Sequence, residues 1–220
     1  MNNFFGWFIS AVIGYLMGCV STGLIVSKAY GHIDIRNHGS GNAGMTNVMR
    51  TLGWLPGFLA FAGDMLKGLL ATFIGKWIAG NIGMCVGGLF AVVGHNWPVF
   101  FRFKGGKGIS TSFGFILATD WRIALILIGV QFVILLSTGF MSLASLASSV
   151  MFFVLAIVFD HHNIAYLVTA FIAMSMSIYS HRANIGRLLR GEENRLNFRK
   201  ISERSKKVND ERKTRKKEGK

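Results

Sequence analysis

Long apolar segments separated by short polar and glycine-rich stretches make up most of the chain. An α-helix that crosses the ~30 Å hydrocarbon layer of a membrane needs about 20 apolar residues. The candidate segments are residues 4–26, 54–78, 82–101, 109–119, 121–136, 140–159 and 164–179. The segment at 109–119 is too short to cross upright and could be re-entrant or extend back under the loop before it, but we keep it among the crossings. This pattern predicts an all-α, polytopic integral membrane helix bundle with about seven transmembrane helices.

The end of the chain has a different composition. Residues 197–220 are rich in Lys and Arg and poor in apolar side chains. Such a segment cannot bury enough apolar surface to fold alone, so we expect a disordered basic tail that is solvated or touches lipid headgroups. The sequence therefore predicts a membrane domain over residues 1–196 and a tail over residues 197–220.

Composition supports the membrane class and excludes others. Of the residues, 51% are hydrophobic and 15% are charged, whereas soluble domains carry about 25% charged residues. The net charge of +14 does not indicate nucleic-acid binding, because the cationic residues flank apolar segments and no recognition motif accompanies them. Cys19 and Cys85 lie in apolar segments, and no Cys/His cluster in the sequence has zinc spacing. We expect neither a metal nor a cofactor.

The distribution of positive charge predicts the orientation. If all the segments cross, the ends of the first, third, fifth and seventh lie on one side of the membrane. That side carries Lys28, Arg36, Arg50, Arg102, Lys104, Lys107, Arg182 and Arg187. An excess of Lys and Arg marks the cytoplasmic side. The polar motifs described below would then all face the cytoplasm.

The first polar motif is a glycine- and hydroxyl-rich stretch over residues 39–50. Glycines let successive backbone N–H groups turn towards an anion, and Arg50 adds a fixed positive charge. The expected phosphate-binding residues are Ser40, Gly41, Asn42, Gly44, Thr46, Asn47 and Arg50. The alternative interpretation is a flexible glycine linker between two membrane helices.

The second motif is the loop at residues 103–108, which contains Gly105, Gly106, Lys107 and Gly108. Its glycines would let the backbone approach a phosphate closely, while Lys107 supplies a mobile charge. The loop lacks the spacing and strand context of a nucleotide-binding P-loop. A short cationic loop without a ligand is the alternative.

The third motif covers residues 180–193. His181 and Asn184 are three positions apart and share a helix face, with Arg187 following on nearly the same face. Histidine can transfer a proton or hydrogen-bond a hydroxyl near neutral pH. The alternative is an ordinary helix end with basic residues.

Three further polar side chains interrupt apolar segments. Asp64 and Lys67, three apart in the second segment, are costly in a membrane and are expected to form an internal structural pair. Ser142 lies at the cytoplasmic end of its predicted helix, where its hydroxyl could face the same site as the three motifs, although serine is also common in helix packing.

Taken together, these motifs closely resemble the bacterial acyl-phosphate:glycerol-3-phosphate acyltransferase family (PlsY). The family pattern G-S-G-N-x-G-x-T-N-x-x-R matches residues 39–50, and G-H-x-x-P-x-F-x-x-F-K-G-G-K-G matches residues 94–108. The pattern H-R-x-N-I-x-R-L-L-x-G-x-E matches residues 181–193. The departures are Ala43, Met45 and Ser110, and these positions contribute backbone or packing.

The resemblance implies an enzyme that transfers a fatty acyl group from acyl-phosphate to the 1-hydroxyl of glycerol 3-phosphate, giving lysophosphatidic acid and phosphate. It also implies a bacterial plasma membrane location and an upstream enzyme that makes acyl-phosphate. Since acyl-phosphate is already activated, no covalent nucleophile on the enzyme is needed. The rival class is a small membrane transporter of a phosphorylated metabolite, but the chain shows no internal repeat.

The resemblance implies a role for each motif. The stretch 40–46 and Lys107 would bind the donor phosphate, and Arg50, Lys107 and Asn184 would bind the glycerol phosphate. His181 would orient or deprotonate the attacking hydroxyl, unless the substrate phosphate is the base. We place His181, Lys107 and Ser142 in the catalytic set. Arg187 would support the site, and Glu193 would hold Arg187 or a loop in place.

Overall fold

The structure is a computed structural model that describes residues 4–218, with side chains described to residue 214. Within these residues the regular structure is entirely helical, as predicted. The helices are α1 (Phe4–Gly18), α2 (Thr22–Gly31), α3 (Met45–Leu52), α4 (Trp54–Asn96), α5 (Ile109–Thr119), α6 (Trp121–Thr138), α7 (Met141–Asp160), α8 (Ile164–Ser180), α9 (Arg182–Leu189) and α10 (Phe198–Glu218). Short 3₁₀ turns lie at Ile35–Asn37 and Val99–Phe101.

Length and composition identify candidate membrane-spanning helices. Within the described residues, Phe4–Gly31, Trp54–Phe101, Trp121–Thr138 and Met141–Asp160 are each long and apolar enough to cross a membrane. A fifth span results if α8 and α9, which are bent by 59° relative to each other, are counted together. Large apolar side chains such as Trp77 and Ile164 are exposed, as expected for a surface that faces lipid.

The longest helix, α4, is a hairpin of two antiparallel arms. Ala79 and Gly80 leave helical geometry, and Gly80 has a φ of 65° that favours glycine. Beyond this break the chain returns, so that Gly87 contacts the backbone of Ala71. In a straight helix these two residues would be about 24 Å apart. The two segments predicted at 54–78 and 82–101 are therefore separate antiparallel arms, joined by a tight turn.

Small residues let the helices around α4 approach closely. Gly14 and Gly18 of α1 lie against the backbones of Gly87 and Ala91, leaving no space for a side chain. On the other side, Gly114 of α5 lies against the backbone of Met65 in the first arm. This is the small-residue packing typical of membrane helices. With 11 residues, α5 is about 16 Å long and does not span the hydrocarbon layer upright.

The second half of the bundle has an aromatic core. Phe115, Phe152 and Tyr166 come from α5, α7 and α8, and their ring centroids are 5.9 to 6.2 Å apart. All three side chains are buried. This core joins α5, α7 and α8, and so fixes the position of the residues that follow α8.

The prediction of a disordered tail at residues 197–220 is wrong for the described part of that segment. Phe198–Glu218 form α10, and Ile201 and Val208 of this helix are buried. These two residues are seven apart, so both face the bundle. Composition suggested disorder because the segment has too little apolar surface to fold alone. The few apolar side chains suffice here because the membrane domain supplies the partner surface.

Candidate functional site

The carboxylate of Glu193 is the centre around which the predicted third motif is arranged. Its Oε1 accepts hydrogen bonds from Ser142 Oγ at 3.0 Å and Asn184 Nδ2 at 2.8 Å. Its Oε2 accepts one from Arg187 Nε at 2.7 Å. Burial opposes ionisation of Glu193, but the hydrogen bonds from Asn184, Arg187 and Ser142 outweigh it and lower the pKa of the carboxyl group. Glu193 thus holds α7 and α9 together as an anion.

Lys107 reaches this cluster from the second glycine loop. Its Nζ donates to Asn184 Oδ1, so Asn184 links the ammonium group to the Glu193 carboxylate. Burial is the main cause that lowers the pKa of Lys107 to about 8, with Arg187 and Arg50 adding to the effect and Glu193 opposing it. At neutral pH the ammonium group is charged, and it becomes neutral as the pH rises through about 8.

Arg50 comes to the same cluster from α3. Its Nη2 donates to the carbonyl of Asn194, the residue after Glu193, at 2.9 Å. The charged groups that act on Lys107 are Arg50, Arg187 and Glu193, so this cluster of four contains three cations and one carboxylate. A partly buried excess of positive charge is a strong feature for binding anions.

His181 lies at the bend between α8 and α9 and is only 3% exposed. Its Nδ1 is 2.9 Å from the carbonyl of Ser177. If Nδ1 carries the proton and donates to this carbonyl, Nε2 is an acceptor. His181 begins the turn that contains Asn184, since the N–H of Ile185 donates to its carbonyl.

The first glycine loop is organised by Asn47 of α3. Asn47 Oδ1 accepts from the N–H of Ser40 at 2.9 Å, and Nδ2 donates to the carbonyls of His38 and Asn42, each at 2.9 Å. Asn42 Oδ1 in turn accepts from the N–H of Gly44 at 2.8 Å. Both amide side chains, which we assigned to phosphate binding, make hydrogen bonds that shape the loop.

Other groups of this loop are open to a ligand. Ser40 and Gly41 are exposed, and Gly44 and Thr46 are partly exposed at the beginning of α3. Gly41 has a φ of 73°, which a residue with a side chain rarely adopts. The first N–H groups of a helix have no partner within the helix. The start of α3 therefore offers backbone N–H groups and hydroxyls to an anion.

The second glycine loop rests on the end of α4. The N–H of Gly106 donates to the carbonyl of His95 at 3.0 Å. A Cβ atom at Gly106 would overlap the His95 imidazole, and one at Gly105 would overlap the His95 carbonyl. Gly108, with a φ of 82°, directly precedes α5. These glycines allow the close contact that directs Lys107 towards Asn184.

Under this loop lies a buried polar network that the sequence predicted only in part. Lys67 Nζ is 2.8 Å from Asp64 Oδ1, which confirms the pair, and also 2.8 Å from His95 Nδ1. Lys67 donates as well to the carbonyl of Val20 at 2.7 Å. His95 belongs to this network although the sequence pattern did not single it out; its place in the second motif was an available signal. Among the described residues, no group of three His, Cys, Asp or Glu side chains is arranged to hold a metal ion.

Comparison with known proteins shows the family to which this sequence is similar. Residues 8–191 match the family model described as glycerol-3-phosphate acyltransferase. A relative from Thermoanaerobacter sp. (strain X514), named glycerol-3-phosphate acyltransferase, is 43% identical over 188 residues, which is 86% of this chain and 94% of the relative.

Two crystal structures share the fold. Both are of PlsY (YgiH), an integral membrane glycerol 3-phosphate acyltransferase, one in a glycerol 3-phosphate form and the other in a lysophosphatidic acid form. Each is 36% identical to this chain and covers 89% of it, with 98% and 97% of the respective crystal structure matched. The TM-scores are 0.83 and 0.81.

Proposed function

This chain belongs to the glycerol-3-phosphate acyltransferase family, and on that premise we propose how its residues perform the transfer. The acceptor is glycerol 3-phosphate, and the product is a lysophosphatidic acid. We propose an acyl-phosphate as the donor. Both substrates are then anions that must lie close together in one site.

The observation that carries this proposal is the excess of positive charge around Glu193. Arg50, Lys107 and Arg187 exceed the single carboxylate by two charges. An arginine guanidinium binds a phosphate through two parallel hydrogen bonds, and lysine adds a point charge. Arg50, Lys107 and Asn184 bind the glycerol phosphate in this scheme, and Arg187 supports them.

The first glycine loop and the start of α3 bind the donor phosphate. The first N–H groups of α3 and the hydroxyls of Ser40 and Thr46 are suited to it, whereas the N–H groups of Ser40, Gly41 and Gly44 are bonded within the loop. Lys107 lies between the two anions in this scheme. Asn42 and Asn47 contribute by holding the loop in shape. Gly105, Gly106 and Gly108 likewise contribute by letting the second loop lie against His95.

The chemistry is a single acyl transfer. The 1-hydroxyl oxygen of glycerol 3-phosphate attacks the acyl carbon, and the bond from that carbon to the phosphate oxygen breaks. Phosphate leaves with the electron pair and is stabilised by Lys107 and the loop N–H groups. The hydroxyl proton passes either to Nε2 of His181 or to a phosphate oxygen of a substrate. His181 orients the hydroxyl in both cases.

Ser142 has a supporting part in this scheme. Its hydroxyl donates to Glu193, and this carboxylate also fixes Asn184 and Arg187. Ser142 therefore acts on substrate through Glu193, a role more indirect than the catalytic one that the sequence suggested.

We place the site on the cytoplasmic side of a bacterial plasma membrane. Support comes from the Lys and Arg residues that flank the apolar segments on the side of the three motifs. The acyl chain of the donor would enter from the bilayer, and the water-soluble acceptor from the cytoplasm. An enzyme that produces acyl-phosphate must act upstream.

The test is an assay of the purified protein with acyl-phosphate and glycerol 3-phosphate, following both free phosphate and lysophosphatidic acid. We expect one phosphate released for each lysophosphatidic acid formed. A parallel reaction with an acyl thioester tests the donor class. Product formation from the thioester but not from acyl-phosphate would contradict the proposed donor.

A further inference from the structure

The contacts of α10 give this helix a role of its own: we propose that α10 clamps α3 against residues 192–197 and thereby fixes the guanidinium group of Arg50. The helix lies beyond residue 191, where the family match ends, so it is an addition to the matched region. The inference rests on the proposed function, because it needs Arg50 to bind glycerol 3-phosphate.

The polar contacts of α10 lie at the corner between α3 and α4. The N–H of Trp54, which begins α4, donates to Ser205 Oγ at 2.9 Å. Arg204 Nε donates at 2.6 Å to the carbonyl of Thr51, one of the last carbonyls of α3, which have no partner within their helix. Gly53, between the two helices, lies directly against Ser205. A helix outside the matched region thus caps both helix ends.

Apolar contacts fasten the same corner. Ile201 is buried in a cluster with Met49 of α3 and with Leu196. The ring of Phe198 stacks on Trp54 with centroids 5.7 Å apart and planes 6° apart. A helix as short as α3, which has eight residues, is unstable by itself in water. Its position therefore depends on what packs against it, and α10 supplies part of that surface together with α4 and α2.

Arg50 is held in two ways, by its neighbours in the chain and by its own side chain. Its neighbours in the chain, Met49 and Thr51, each contact α10. Its side chain donates to the carbonyl of Asn194, which lies just before α10. Leu196, two residues further, is fixed by its N–H bond to the carbonyl of Gly139 at 2.8 Å. If α10 detaches, α3 and the chain around Asn194 lose a common support, and Arg50 loses its fixed direction.

The test compares variants of the inner and outer faces of α10 in the full-length protein. The inner variants are Ile201→Asp, which places a charge in the buried contact, and the double variant Arg204→Gln with Ser205→Ala. The outer control is Lys207→Gln, because Lys207 is exposed on the same helix. We expect KM for glycerol 3-phosphate to rise about tenfold in the inner variants, with kcat changed less than about threefold. Lys207→Gln should match the wild type.

Two readouts separate a positioning role from general stability. Amide hydrogen exchange should increase over residues 45–52 in the inner variants and stay unchanged in α7 and α8. The single variant Arg204→Lys keeps a donor to Thr51 and leaves Ser205 in place. It should therefore retain most of the affinity for glycerol 3-phosphate that the double variant loses. If Ile201→Asp does not fold, the double variant decides the outcome.

An unchanged KM for glycerol 3-phosphate in the folded inner variants would overturn the clamp, provided that Arg50→Lys is impaired. An equal loss of kcat and of affinity for both substrates would also overturn it, because that pattern indicates general damage. If Arg50→Lys itself retains wild-type kinetics, the assignment of Arg50 in the proposed function is at fault instead.

Discussion

The charge of Glu193 should control the pH dependence of the enzyme through Lys107. The pKa of Lys107 is lowered to about 8, and Glu193 is the group that opposes this lowering. In the proposed scheme Lys107 binds phosphate as an ammonium ion, so this binding should be strongest well below pH 8 and should be lost as the pH rises through that value. The wild-type kcat/KM for glycerol 3-phosphate should therefore fall on the alkaline side with an apparent pKa near 8.

The variant Glu193→Gln removes the negative charge that favours the ammonium form. Lys107 is connected to Glu193 through the Asn184 amide. A unit charge about one amide away, on the order of 6 Å, contributes roughly 1.5–3 kcal/mol at an effective dielectric constant of 20–40. Since 1.36 kcal/mol corresponds to one pKa unit, the alkaline limb should move down by about one to two pH units. At pH 8 the variant should lose most of its affinity for glycerol 3-phosphate.

The assay is kcat/KM for glycerol 3-phosphate from pH 6 to pH 10, with free phosphate as the readout. A matched control is Glu192→Gln, because Glu192 is the neighbouring carboxylate, pairs with Arg190 at 2.7 Å and is 58% exposed. This control removes the same charge outside the site and should leave the profile unchanged. An alkaline limb that stays in place in Glu193→Gln, or moves upwards, would refute the reasoning.

The other predictions concern Arg50, His181 and the orientation of the chain in the membrane. Arg50→Lys should impair the enzyme by about tenfold or more, although the charge is kept, because one ammonium group cannot reproduce a two-point contact with phosphate; steady-state kinetics with varied glycerol 3-phosphate measure this. His181→Gln should mainly raise KM if the histidine positions the hydroxyl, whereas a loss of roughly 10²–10⁴-fold in kcat would identify it as the general base. For the orientation, single cysteines in a cysteine-free background should react with an impermeant thiol reagent on whole cells near Asp160 but not near Lys104. Strong labelling near Lys104 would contradict a cytoplasmic site.

The sequence predicted the helical fold well because its signals are local. An apolar run of about 20 residues has few alternatives to a membrane helix, and a glycine at the break explains why residues 54–78 and 82–101 are separate. The three motifs were also evident, since glycine, hydroxyl and cationic residues are unusual between membrane helices. The pairing of Asp64 with Lys67 followed from their helical spacing.

What the sequence could not predict depends on contacts between distant segments. Glu193 joins side chains from α7 and α9, and the carbonyl after it accepts from Arg50, 144 positions earlier in the chain. Asn47 had the residue type of a ligand contact, but its neighbours in space make it the support of the glycine loop.

The end of the chain shows the same limit most clearly. Composition determined that residues 197–220 cannot fold alone, and this is a property of the segment itself. Whether the segment folds in the protein depends on the surface that meets it. Ile201 and Val208 are ordered because α3 and its surroundings provide apolar partners. Sequence by itself predicted the apolar segments that can cross a membrane and the polar residues proposed to bind an anion, because both predictions rest on local chemistry. Tertiary structure alone decided which of those residues meet around Glu193 and which support them, because those contacts join parts of the chain that no local pattern relates.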